Sequence, residues 1–212
     1  MSRPAPGAEL QRTGIVAILR GGAGAPVDEV VDVLVDAGVT CLEITMNTPG
    51  ALDAVAAARS RHPGAEVGVG TARTPAQVQA AAAAGAQFVV SPDVRATVGA
   101  AAADAGLPWY PGALTATEAG TAWELGAAAV KLFPASLGGP GYLRELRAPL
   151  DDVPFVPTGG VRLEHVGDYL AAGAFALGIG SPLLGDALRG GSLPELAERA
   201  ERVLAAVQAG RA

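Results

Sequence analysis

Along this chain, short apolar runs alternate with longer stretches in which apolar residues recur at helical spacing. The runs are GIVAIL (14–19), CLEIT (41–45), EVGVG (66–70), QFVV (87–90), PWYP (108–111), AAVKLF (128–133), PFVP (154–157) and FALGIG (175–180). Their starts lie 20 to 27 residues apart. Between them, segments such as APVDEVVDVLVDAG and TPAQVQAAAAAGA read as amphipathic helices that close with glycine, at Gly38, Gly64, Gly85, Gly106, Gly126 and Gly173. A strand followed by a helix, repeated in this way, predicts parallel pairing, because parallel neighbours need a crossover and the helix supplies it. Eight such units predict a small (β/α)8 TIM barrel of the α/β class, one domain over residues 1–212, with 1–12 as an N-terminal arm or a helix capping the bottom. A doubly wound sheet would want roughly five or six strands and a crevice at a switch point, and the uninterrupted repeat favours the barrel. The chain is short for that fold, so its loops must be tight.

Composition narrows the function classes. Half of the 212 residues are hydrophobic, enough for one substantial core, and the net charge is −6. Basic residues are not clustered with aromatics, which argues against a nucleic-acid surface and for a small-molecule partner. No apolar stretch is long enough for a membrane span, and the first residues lack a signal-like apolar core, so the expectation is a cytoplasmic protein with no membrane partner. Cys41 is the only cysteine, which excludes an internal disulfide. The two histidines, His62 and His165, have no partner at ligand spacing, which disfavours a metal site and a histidine-based hydrolase.

Lys131 is the single lysine among 15 basic residues, and it sits within AAAVKLFPAS between Val130 and Leu132. Genome bias towards arginine explains a rare lysine, but a random survivor would lie on a solvated helix face. Strand alternation places Ala129, Lys131 and Phe133 on one face, and Cys41, Glu43 and Thr45 on one face of the second strand. An amine and a carboxylate then meet inside the barrel mouth. The bland reading is a buried structural ion pair. The functional one is amine catalysis, in which a desolvated lysine forms a Schiff base with a ketone and the carboxylate moves protons. Other polar groups fall at the same carboxyl rim: Arg20, Thr45, Thr71, Ser91, Pro92, Thr158 to Gly160, Gly180 and Ser181. Glycines in PTGGV (157–161) and GIGS (178–181), followed by PLLGDALR, suit a phosphate cradle; their bland reading is tight turns.

The segments GIVAILRG, LEITMNTPGA, VGVGTARTPAQ, GAQFVVSPD, PGALTATEA, KLFPAS, PTGGV and GIGSPLL together resemble the class I 2-keto-3-deoxy-6-phosphogluconate aldolases, which also act as 4-hydroxy-2-oxoglutarate aldolases. The resemblance implies a cofactor-free, pyruvate-dependent lyase on a homotrimeric barrel, acting on a small 2-keto acid. It matches Lys131 to the Schiff-base lysine and Glu43 to an acid/base working partly through water. It also matches Thr71 to the carboxylate-holding threonine, Gly70 and Pro92 to the pocket lining, and Phe133 to the aromatic beside the imine. Thr158 matches a sugar contact, and Gly159, Gly160 and Ser181, beside Gly180, match phosphate positions. Asn47 stands where many members carry arginine, so carboxylate binding shifts onto Thr71 and Arg20. Asparagine there resembles the 6-phosphogalactonate aldolases. A phosphosugar isomerase or epimerase on the same barrel, and a non-catalytic phosphate-ligand binding protein, are the remaining readings.

Overall fold

The computed structural model describes residues 3–211, so residues 1 and 2 of the expected arm lie outside the described residues. The strands are β1 Ile15–Leu19, β2 Cys41–Thr45, β3 Glu66–Gly70, β4 Val89–Ser91, β5 Trp109–Ala113, β6 Val130–Leu132, β7 Phe155–Pro157 and β8 Leu177–Ile179. The helices are α1 Ala8–Thr13, α2 Val27–Asp36, α3 Ala51–Arg61, α4 Pro75–Ala83, α5 Ala96–Asp104, α6 Ala116–Glu124, α7 Gly139–Arg147, α8 Val166–Ala171, α9 Ser181–Leu184 and α10 Leu193–Arg211. Every strand pair is parallel, in the order β7-β6-β5-β4-β3-β2-β1-β8. The ring closes between β7 and β8 through a Thr158–Gly178 bridge and a 2.9 Å hydrogen bond from the Phe175 amide to the Phe155 carbonyl. This is the expected TIM barrel.

Several boundaries differ from the apolar runs. β5 continues through Pro111 to Ala113, because Gly112 and Ala113 still pair with Lys131 and Leu132. β6 is shorter than its run, covering only Val130–Leu132. Among the expected helix-closing glycines, Gly64 alone stays out of the left-handed region; α3 already ends at Arg61, and Pro63 and Gly64 form the turn that follows.

Alternation along the strands sorts the buried apolar residues into two layers. Ile15, Leu42, Ile44, Val69, Val130 and Leu132 face outwards and pack with the helices. Val16, Cys41, Phe88, Val90, Tyr110, Ala129 and Val156 face inwards and fill the lower barrel, where the Phe88 and Tyr110 ring centroids are 5.4 Å apart. Leu10 of α1 joins this inner cluster from below and is 1% exposed. Its burial contributes about 1.5–3 kcal/mol. The arm ahead of α1 is held by Arg3, which lies over the Trp123 ring and donates to the Trp123 carbonyl.

Polar groups fasten this plug. The Glu66 carboxylate accepts hydrogen bonds from the Glu9 and Leu10 amides at 3.0 and 3.2 Å, and the Gly7 amide donates to the Tyr110 hydroxyl. Burial pushes the Glu66 carboxyl above its usual range, although the two amides pull the other way. A carboxyl whose folded pKa is raised binds its proton more tightly when folded. Its contribution to stability is therefore fully present below the unfolded pKa and is lost as pH rises through the folded one. Glu66→Gln, which keeps an acceptor but does not ionise, is expected to lose less stability than the parent between about pH 4 and pH 7 in denaturant titrations. Parallel pH profiles for the two proteins would overturn this.

Candidate active site

The inner positions of Cys41 and Ala129 fix the direction of their strand neighbours two residues on. Glu43 and Lys131 therefore point into the barrel, as alternation requires, while Leu42, Ile44, Val130 and Leu132 sit in the outer layer. Glu43 is 1% exposed and Lys131 8%. No ion pair joins them among the described residues, and the Glu43 Oε1 atom is fully buried without a hydrogen-bond partner. The ion-pair reading is thus not realised. A desolvated carboxylate oxygen left open costs stability, and such groups in folded proteins call for a water, a ligand or a chemical task.

A cavity of about 460 Å³ opens at the carboxyl ends of β1, β6, β7 and β8. Lys131, Phe133 and Thr158 line it, with the Lys131 amine 5.3 Å from the Phe133 ring centroid. Gly159, Gly160, Gly180 and Ser181 line it as well, and Arg20 joins from the end of β1. The loops after β6 and β7 are tied together: the Ala135 amide donates to the Thr158 carbonyl at 2.8 Å, and the Ser136 amide to the Gly159 carbonyl at 3.0 Å. The buried Tyr169 hydroxyl donates to the Ala135 carbonyl from behind. Gly160, at φ 77°, lies so close to Ser136 that a Cβ would come within 2.6 Å of the serine Cβ. The cradle after β7 is held against the loop that follows Lys131.

The remaining expected residues do not line this cavity. Gly70, at the end of β3, packs directly against the Glu43 carboxylate, so closely that any Cβ there would overlap it. Thr71 follows with φ 61°, an uncommon conformation for a β-branched residue and a mark of stored strain. The Pro92 carbonyl faces Gly112, bringing the loop after β4 against β5. Asn47 is exposed on the turn after β2.

Two rim candidates are structural. The Ser91 hydroxyl donates to the Asp93 carbonyl and accepts from the Trp109 indole, and Thr45 bonds to Leu19 and Thr48. Cys41 is inert: burial and the Glu66 and Glu43 charges push its thiol upwards, so it stays protonated. His62 sits against Asp32 at 2.6 Å between α2 and α3, clear of the cavity. Sequence reasoning passed over Arg189, which lines the cavity from a short turn after α9. Its one signal is its place in PLLGDALR, directly behind the second Gly-rich strand end.

A closed parallel barrel with a buried amine and a buried, unpaired carboxylate at one end is the architecture of a barrel enzyme. The chain belongs to the KDPG and KHG aldolase family, whose model matches residues 7–196. It is 43% identical over 139 residues to the 2-dehydro-3-deoxy-phosphogluconate aldolase of Treponema pallidum, a match spanning 65% of this chain and 66% of that relative. It is 36% identical over 197 residues to a probable 2-dehydro-3-deoxy-6-phosphogalactonate aldolase of Rhizobium meliloti, spanning 92% of each. It also superimposes, with a TM-score of 0.85 and 26% identity, on the crystal structure of KDPG aldolase from Legionella pneumophila with pyruvate captured at low pH as a covalent carbinolamine intermediate, covering 92% of this chain and 96% of that one.

Two substitutions test the local geometry. Thr71→Gly relieves a positive φ that costs about 1–3 kcal/mol, against about 0.5–1 kcal/mol of added glycine entropy, so a net gain near 1 kcal/mol is expected in urea unfolding. Gly70→Ala forces a methyl group into the Glu43 carboxylate and is expected to cost about 1–3 kcal/mol. A neutral Gly70→Ala would show that Glu43 does not rest there.

Proposed function

We propose that the protein is a class I aldolase that cleaves 2-keto-3-deoxy-6-phosphogluconate to pyruvate and glyceraldehyde 3-phosphate, and 4-hydroxy-2-oxoglutarate to pyruvate and glyoxylate. The observation that carries this reading is Lys131: the only lysine of the chain, 8% exposed, faces the cavity with no carboxylate paired to it among the described residues. A strongly paired ammonium is a poor nucleophile, whereas an unpaired amine in an apolar wall is free to attack a ketone.

In this mechanism the Lys131 Nζ adds to the substrate C2 carbonyl, giving a carbinolamine whose hydroxyl leaves as water after protonation. The resulting iminium is the electron sink. Removal of the C4 hydroxyl proton lets the C3–C4 bond break, its electron pair flowing into the iminium to leave an enamine and a free aldehyde. Protonation of the enamine at C3 and attack of water on the imine then release pyruvate and regenerate the amine. Glu43 supplies and removes these protons. Because no direct contact joins it to Lys131, a water between the two groups fits the arrangement, and the unpartnered Oε1 is the atom to hold it. Thr71 and Arg20 take the substrate carboxylate with Asn47 as a further substrate contact, Gly70 and Pro92 wall the same end, Phe133 and Thr158 flank the imine and sugar, and Gly159, Gly160, Gly180 and Ser181 cradle the phosphate. The covalent pyruvate adduct of the Legionella pneumophila relative supports the chemistry by likeness.

A galactonate substrate is the second reading, favoured by Asn47 and by the Rhizobium meliloti relative, which matches over 92% of both chains. A homotrimer is implied by the resemblance, and Leu137, 71% exposed on the loop after β6, is an apolar side chain such an interface would cover. Work in the cytoplasm is part of this proposal; separately, no helix among the described residues is long and apolar enough to cross a membrane.

Borohydride reduction in the presence of pyruvate is expected to add the reduced pyruvate mass at Lys131; no adduct, or an adduct elsewhere, would sink the assignment and favour an isomerase. Glu43→Gln is expected to lower kcat by about 10²–10⁴ in a coupled pyruvate assay while still folding. Retention of full turnover would remove Glu43 from the proton-transfer role.

A further inference from the structure

The cavity over Lys131 carries three charged side chains, Arg20, Lys131 and Arg189, and no aspartate or glutamate lines it. This one-sided lining occurs in a chain of net charge −6, so it is not a sample of the overall composition. Among the described residues neither Arg20 nor Arg189 forms an ion pair or a side-chain hydrogen bond. Asp186 is the nearest acid in sequence to Arg189, but it lies over Gly191, where a Cβ would overlap its carboxylate, and forms no ion pair with Arg189. Arg189 ends a short 3-10 turn, Ala187–Arg189, whose apolar members Ala187 and Leu188 are buried and anchor it beside Ser181 and Gly185. It also borders a cleft against Gly22 to Pro26, the loop that follows Arg20.

We infer that Arg189 is a specificity-determining residue of this site, holding the terminal phosphate of the substrate beside Gly159, Gly160, Gly180 and Ser181. The inference rests on the aldolase reading and deepens it. Backbone amides and a serine hydroxyl at a Gly-rich turn bind an anion but bring no full positive charge; a guanidinium does, and its planar donor fork matches phosphate oxygens. Such a site selects acids with a doubly charged end over those with a neutral hydroxyl there.

The test compares Arg189→Ala, Arg189→Lys and the parent on 2-keto-3-deoxy-6-phosphogluconate and on the same acid without phosphate. Arg189→Ala is expected to lower the ratio of kcat/KM for the phosphorylated over the unphosphorylated acid by about tenfold to a hundredfold, through KM, with Arg189→Lys in between. Arg202→Ala removes the same charge from an exposed position on α10 and is expected to leave that ratio where it was. An unmoved ratio in Arg189→Ala, or an equal fall in Arg202→Ala, overturns the inference. Pyruvate carries no phosphate, so borohydride trapping separates the two claims. If the adduct forms in parent and variant and the ratio does not move, only the role of Arg189 fails. If the parent gives no adduct, the aldolase reading fails. Calorimetric titration with inorganic phosphate then decides on Arg189 by itself: binding weakened about tenfold or more by Arg189→Ala supports it, and equal binding refutes it.

Discussion

A ring of parallel strands has an interior that must be filled, and the way this chain fills it governs everything above. Inward side chains come from every second residue, so each strand contributes only a few. Below, Leu10, Phe88, Tyr110 and Val156 fill the space. Higher up, the inward positions turn to glycine or polar groups: Gly68 lies against the Phe88 ring, Gly70 against Glu43, and Gly178 against Thr158. The barrel is solid at one end and open at the other because bulky residues give way to small ones along the same strands.

The polar groups in that interior are unequal in their bonding. Glu66 at the closed end has two amide donors and pins the N-terminal helix, so its burial serves the fold. Glu43 at the open end has an oxygen with none. The same residue type on neighbouring strands is spent in one place on closing the barrel and left available in the other. Strained Thr71, one residue beyond the glycine that makes room for Glu43, belongs to the same pattern of local cost at the open end.

Much of this was legible from residue order alone. The eight apolar runs, their spacing and the alternation that turns Glu43 and Lys131 inwards are local properties of the chain, and the barrel realises them. Strand ends were less legible, because ladder partners decide them: β5 runs through Pro111 only because β6 continues beside it. Ser91 and Thr45 looked like site residues by position, yet each is satisfied by bonds to neighbouring backbone or side chains that only the folded loops bring near. Arg189 was hidden for the opposite reason. Its place in PLLGDALR, behind a Gly-rich strand end, is the one mark it carries, and its approach to the cavity depends on how a short turn packs after α9.

The lone lysine has a further consequence for the protein as a reagent. Its solvated faces carry arginines, which do not react with acylating or aldehyde reagents as amines do, and the only side-chain amine is 8% exposed inside the cavity. Amine-directed labels, cross-linkers and coupling resins therefore find almost nothing to grip except an amino terminus. A small carbonyl compound shaped for the cavity meets that one amine at once, which makes the molecule selective by access where most proteins present many competing targets.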